Sequence, residues 1–131
     1  MRKTMLIMTA AMVLAVTTVS AENRIENESS TAISTYAEMN KINSFCKAIM
    51  KGDIETVKKL ISLGEDVNQK SLGMTPAIFA ARYNKAEILK VLIQNGADIK
   101  IRSDRGYSIT KYAESANATD ALAVINAELR S

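Results

Sequence analysis

No histidine occurs anywhere in the 131 residues. That removes Ser-His and Cys-His nucleophile pairs and most zinc sites, each of which needs an imidazole as base or ligand. Cys46 is the only cysteine, so an internal disulfide is impossible. It falls within a predicted helix, two residues before Ala48, where a small buried apolar side chain is the favoured reading. A reactive thiol or an intermolecular bridge in an oxidising compartment is the alternative, but no imidazole is present to activate the sulfur. The five glycines stand apart from one another, so there is no Gly-rich phosphate loop. Residue type alone leaves a two-carboxylate hydrolase open, yet the acidic residues are spread along helices and turns. Catalytic, cofactor and metal sites are therefore all expected to be absent.

Long apolar runs are also lacking. Met5 to Val16 is the longest, broken only by Thr9, and it is shorter than the roughly 20 residues of a spanning helix. Arg2-Lys3 precedes it and Val19-Ser20-Ala21 follows, ahead of polar Glu22-Asn23-Arg24. This is the layout of a secretory signal peptide over residues 1–21. Its bacterial style points to export, to the periplasm rather than the medium, with no membrane span after cleavage. No cysteine stands directly after the apolar segment, which argues against a lipid anchor. The chain carries 17 Lys and Arg against 14 Asp and Glu. Cleavage would remove Arg2 and Lys3 and no acid, leaving a net charge near +1. Nothing in that balance suggests nucleic-acid binding.

What the chain does contain is a repeated string. Ala48 to Ala80, Glu55 to Glu87, Leu60 to Leu92, Gly64 to Gly96 and Asp66 to Asp98 are each 32 apart. Gly73 to Gly106, Ala80 to Ala113, Asn84 to Asn117 and Val91 to Val124 are each 33 apart. The spacing predicts inner helices near 43–50, 76–83 and 109–116, and outer helices near 54–63, 86–94 and 119–129. Thr75 suits an N-cap and Pro76 a first turn. Ile88, Leu89, Leu92 and Ile93 form the apolar stripe of an outer helix, as do Val57, Leu60 and Ile61 before it and Leu122, Val124 and Ile125 after it. Gly64 and Gly96 suit left-handed helix ends, while Gly73 and Gly106 mark connecting tips at 66–74 and 98–107.

Thr75-Pro76, Ala80-Ala81, Glu87-Ile88, Val91-Leu92-Ile93 and Gly96-Ala97-Asp98 at this period resemble the ankyrin repeat family, across roughly residues 42–129. Ala77-Ile78 and Asn84-Lys85 depart from the family's usual Leu-His and Gly-His. The first copy lacks Thr-Pro and the third has Ser108-Ile109, as expected of terminal repeats that act as caps. The resemblance implies an all-α solenoid of stacked antiparallel helix pairs with β-hairpin-like tips. Its repeats would cover 42–70, 71–103 and 104–131 within a domain over 42–131. Residues 22–41 would be a polar linker or an N-terminal capping segment, and no further domain is expected after the last helix. Asn27-Glu28-Ser29 and Asn117-Ala118-Thr119 match the glycosylation pattern, which matters only in a eukaryotic secretory pathway.

The resemblance also implies binding through the tips and the exposed face of the inner helices. Carried onto this chain, the binding positions are Leu72, Met74, Arg82, Tyr83, Arg102, Arg105 and Tyr107, with Ser71, Asp104, Ser115, Lys70 and Lys100 beside them. Tyrosine and arginine supply stiff contact area and paired donors for carboxylates, so the expected partner is a single protein with an acidic surface. The expectation is a monomeric, non-catalytic adaptor. A sharper version is an immunity protein that blocks a periplasm-acting toxin by occlusion. Protection or assembly of a periplasmic enzyme suits the same features. A structural protein self-associating through the open end of the array is a further alternative.

Overall fold

Three short polar side chains start the inner helices. Asn43 Oδ1 accepts the amide of Cys46 at 2.8 Å, Thr75 Oγ1 that of Ile78 at 3.2 Å, and Ser108 Oγ that of Lys111 at 3.2 Å. Each satisfies a helix N–H that otherwise has no partner. The first copy, which has no Thr-Pro, is thus capped by Asn43.

The computed structural model describes residues 32–131. The expected signal peptide and residues 22–31 of the polar segment lie outside them. Residues 32–40 are helical (α1), with every residue exposed, and belong to a unit distinct from Lys41–Ser131. The second unit holds α2 (Ser44–Lys51), α3 (Ile54–Ser62), α4 (Pro76–Arg82), α5 (Ala86–Gln94), α6 (Ile109–Ser115) and α7 (Thr119–Arg130). The inner helices α2, α4 and α6 stack on one another, the outer helices α3, α5 and α7 form the second layer, and each pair packs as a hairpin. No strand forms among the described residues; one isolated antiparallel bridge joins Ser71 and Met74. This is an all-α helix-pair solenoid.

The core runs between copies. Phe45, Ile49, Ile78, Phe79, Leu89, Leu92, Ile109 and Ile125 are essentially inaccessible, and Ala80, Ala81 and Ala113 let the inner helices approach closely. A fully buried Leu, Ile or Phe side chain contributes about 1.5–3 kcal/mol, so these few side chains dominate the cohesion. The outer stripes are narrower than the sequence suggested. Val57, Ile88, Leu89, Leu92 and Ile125 are buried, whereas Leu60, Ile61, Ile93, Leu122 and Val124 are only half-buried. An outer helix faces one layer, so the flank of its apolar stripe stays at the rim.

Side chains also reach from copy to copy. Asn68 Nδ2 donates to the Gly96 carbonyl at 3.1 Å, and Asn68 Oδ1 accepts the Asp98 amide at 2.9 Å. Helix α7 has no cap from Ala118 before it. Instead Asn84, one copy upstream, accepts the Ala121 amide on Oδ1 at 3.0 Å. Asn84 sits at φ 55, a left-handed conformation that asparagine tolerates. It therefore replaces the family's usual glycine and adds a bond that glycine lacks. Helix α5 has no such cap, because the residue one period before Asn84 is Gly52.

Candidate partner-binding surface

The first tip is a tight hairpin. Ser71 and Met74 exchange both backbone hydrogen bonds, at 2.9 and 3.1 Å, around Leu72 and Gly73. Leu72 has φ 49 and Gly73 φ 74, and a two-residue hairpin with both central residues at positive φ is the type I′ arrangement. Asn-Gly is the usual pair there. A leucine in this conformation is a genuine outlier, and its side chain is 44% exposed. Asp66 and Asp98 open the two tips with the same local turn: Oδ1 of each accepts the amide two residues on, from Asn68 and Lys100, at 2.9 Å.

The second tip is braced from inside. Ser103 N–H donates to the Tyr107 carbonyl at 3.0 Å, and Tyr107 N–H donates to Ser103 Oγ at 3.2 Å. Arg102 Nη1 donates to the Gly106 carbonyl at 3.0 Å. The tips are joined where the Asp104 amide donates to the Gly73 carbonyl at 2.9 Å and Lys70 Nζ meets Asp104 Oδ1 at 2.8 Å. A Cβ on Gly73 would come within 2.9 Å of Asp104 Oδ2, so glycine is required by space as well as by φ.

These bonds sort the binding positions read from the sequence. Met74, Arg82 and Tyr83 come together: Arg82 Nη1 lies 4.0 Å from Met74 Sδ, and its guanidinium carbon sits 5.9 Å from the Tyr83 ring centroid. Neither contact neutralises its charge. Arg105 is exposed and makes no hydrogen bond or ion pair with the described residues. Tyr107 is 49% exposed and stands edge-on to Tyr112, with centroids 6.2 Å apart at 76°. Arg102 serves its own tip, and Lys70 and Asp104 engage each other. Ser71 does not belong to the surface: it is buried, and its hydroxyl accepts the Asn43 amide at 3.0 Å. Tyr112 was missed by sequence reasoning; its place 33 residues after Phe79 reads as core, yet it is only half-buried, packed against the core and edge-on to Tyr107.

A groove lies elsewhere among the described residues. It is open, about 880 Å³ in volume, and lies along the outer helices, lined by Lys51, Lys85, Asn84, Ile88, Asp120 and Val124 among others. Glu87 also borders it. Both carboxylates are exposed and engaged, Glu87 with Lys90 at 3.0 Å and Asp120 with Asn84 Nδ2 at 3.5 Å. Neither is the desolvated acid of a catalytic pair. Asp53, capping α3, is held below the usual carboxylate range by hydrogen bonds from the Thr56 hydroxyl at 2.6 Å and the Thr56 amide at 3.2 Å. Cys46 is fully buried, and burial, with Glu65 adding to it, pushes the thiol up to about 12. It is the inert core cysteine that composition favoured. Among the described residues no helix is long and apolar enough to cross a membrane, and no cluster of acids and cysteine is arranged to hold a metal.

A family model for ankyrin repeats in three copies matches residues 7–103 and again 45–127. The chain belongs to the ankyrin repeat family. Ankyrin repeats are protein–protein interaction modules and generally non-catalytic. The chain is similar to "Ankyrin repeat, SAM and basic leucine zipper domain-containing protein 1" of Rhinolophus ferrumequinum, with 35% identity over 66 residues, half of this chain and 14% of that protein. The protein of the same name from Nomascus leucogenys is 33% identical over 90 residues, 68% of this chain and 19% of its own length. An ankyrin repeat protein of Rickettsia bellii is 32% identical over 90 residues, 63% of this chain and 13% of its own length. The chain thus spans less than a fifth of the length of these relatives.

Proposed function

We propose that this ankyrin array is an exported, monomeric adaptor that binds one protein partner, with an acidic surface, through its two tips and the inner-helix face beside them. The observation that carries the reading is Leu72. An exposed leucine in a left-handed conformation costs about 1–2 kcal/mol relative to a residue suited to it, and strain of this kind clusters at functional sites. The same two tips and the inner helix beside them carry the un-neutralised guanidiniums of Arg82 and Arg105 and the exposed rings of Tyr83 and Tyr107. Arginine and tyrosine are the residue types that dominate binding energy in protein interfaces, and unpaired guanidiniums suit carboxylates. Export is supported by the basic, apolar and small-residue segments of residues 1–21.

The test compares partner recovery from periplasmic extract by the unsubstituted protein, by Leu72→Asn and by Arg105→Glu with Tyr107→Ala. Asparagine accepts positive φ, so Leu72→Asn removes the apolar contact and leaves the hairpin intact. Both variants should lose the partner while keeping their helical circular dichroism. Equal recovery by all three rejects the placement of the surface. Intact mass of the protein isolated from its host checks export: cleavage leaves Glu22 first, and a full-length cytoplasmic product rejects it.

A further inference from the structure

The sequence has one Asn-Gly pair, Asn95-Gly96, and the fold places it at the end of α5 with both residues exposed. Glycine has no side chain to shield its nitrogen from the carbonyl group of the preceding side chain, and Asn is a recognised weak point in heat-stressed proteins. We propose that this pair is a self-modification site, at which Asn95 loses its amide as ammonia when the last turn of α5 opens, loosening the joint between the first and second copies. In the step, the Gly96 nitrogen yields its proton to a base and attacks Cγ of Asn95. A carbon–nitrogen bond forms and closes a cyclic imide. The bond from Cγ to Nδ2 breaks, and the nitrogen leaves as ammonia after taking up a proton. Water then opens the imide at either carbonyl, giving aspartate or isoaspartate, so water is the only co-reactant.

Both reacting groups are restrained in the closed array. The leaving nitrogen, Nδ2, donates to the Val91 carbonyl at 2.8 Å. The attacking nitrogen of Gly96 donates to the Ile93 carbonyl at 3.1 Å. The two bonds belong to the turn that ends α5, so the step waits on local opening of that turn. The product then resists reclosing. An acid has no N–H for the Val91 carbonyl, and it places negative charge at a helix C-terminus, where the dipole disfavours it. Isoaspartate also lengthens the backbone just before Gly96. Gly96 holds φ 95, its carbonyl accepts Asn68 Nδ2 at 3.1 Å, and the next amide, Ala97, bonds Leu92 at 2.9 Å. Those bonds tie the first copy to the second and close α5.

The experiment incubates the purified full chain in mildly alkaline buffer, with and without urea, and follows every asparagine by peptide mass mapping. Enzymatic isoaspartate methylation separates the imide route from direct hydrolysis. Expected are conversion at Asn95 ahead of every other asparagine, isoaspartate among the products, and a rate about tenfold lower in the folded chain than in urea. Hydrogen exchange at the Ala97 amide should be faster in the converted fraction. Gly96→Ala is compared in urea, where its folding is irrelevant, and should convert more slowly. Earlier conversion at another asparagine, equal rates with and without urea, or undiminished conversion of Gly96→Ala each overturns the proposal.

Discussion

Replacing Asn84 by glycine removes a hydrogen bond that one copy supplies to the next while leaving the backbone unstrained. The residue sits at φ 55, which glycine adopts freely. What disappears is the 3.0 Å bond from the Ala121 amide to Asn84 Oδ1, the side-chain cap at the N-terminus of α7, together with the long, exposed 3.5 Å contact of Asn84 Nδ2 with Asp120. A lost cap costs about 1 kcal/mol. The larger figure for a fully buried orphan amide, up to about 3 kcal/mol, does not apply, because Asn84 is exposed and water can enter. Glycine adds about 0.5 kcal/mol through the looser unfolded chain. The sum, roughly 1.5 kcal/mol, should lower the Tm by about 6–12 °C for a unit of this size. Hydrogen exchange read by NMR gives the sharper test. The Ala121 amide should exchange about fivefold or more faster, while the Ile88 amide at the same place in α5, which has no such cap, keeps its protection relative to global unfolding. A Tm fall under about 2 °C, well below what one lost cap produces, with unchanged Ala121 exchange, would refute the reasoning.

Phe79→Ala empties a fully buried site between the inner helices and should cost about 3–5 kcal/mol, most of the stability of a small array, read as loss of cooperative urea unfolding. Gly73→Ala puts a Cβ 2.9 Å from Asp104 Oδ2 at φ 74 and should cost about 1–2 kcal/mol by the same measure. Lys70→Ala should cost less than about 1 kcal/mol, because its ion pair with Asp104 is solvated. Cys46 gives a pH signature. Burial pushes its folded pKa up from the ordinary 9.0 to about 12, so the folded state holds the proton more tightly. The stabilisation is fully present below about 9 and is lost as pH rises from there towards about 12. Cys46→Ala should flatten that decline in denaturant titrations, and the native thiol should resist alkylation at neutral pH.

The helices were legible because their signals are local. Thr75-Pro76 and Ser108 cap within three residues, the apolar stripes follow the helical period, and Gly64, Gly73, Gly96 and Gly106 all take the positive φ their turns require. The first inner helix was placed correctly although its cap, Asn43, carried no family signature. The binding surface was legible only in outline. Nothing local to Ser71 says that its hydroxyl serves Asn43, or that Arg102 is engaged by its own tip while Arg105 is not. Nor does a Leu-Gly pair announce a type I′ turn, for which asparagine is the expected residue.

By itself the sequence determined the repeat, the helix pairs, the absence of imidazole chemistry and the residue types available at the tips. Each of these depends on neighbours within about one turn, on a fixed spacing of 32 or 33 residues along the chain, or on simple presence. The tertiary structure decided which of those residues are free to bind. Apart from the local bond of Arg102 within its own tip, that choice rests on partners 28 to 37 positions away, such as Asn43 with Ser71 and Asn84 with Ala121. Such bonds are defined only once one copy stacks on the next, because stacking fixes which polar groups are satisfied within the array and which still face water.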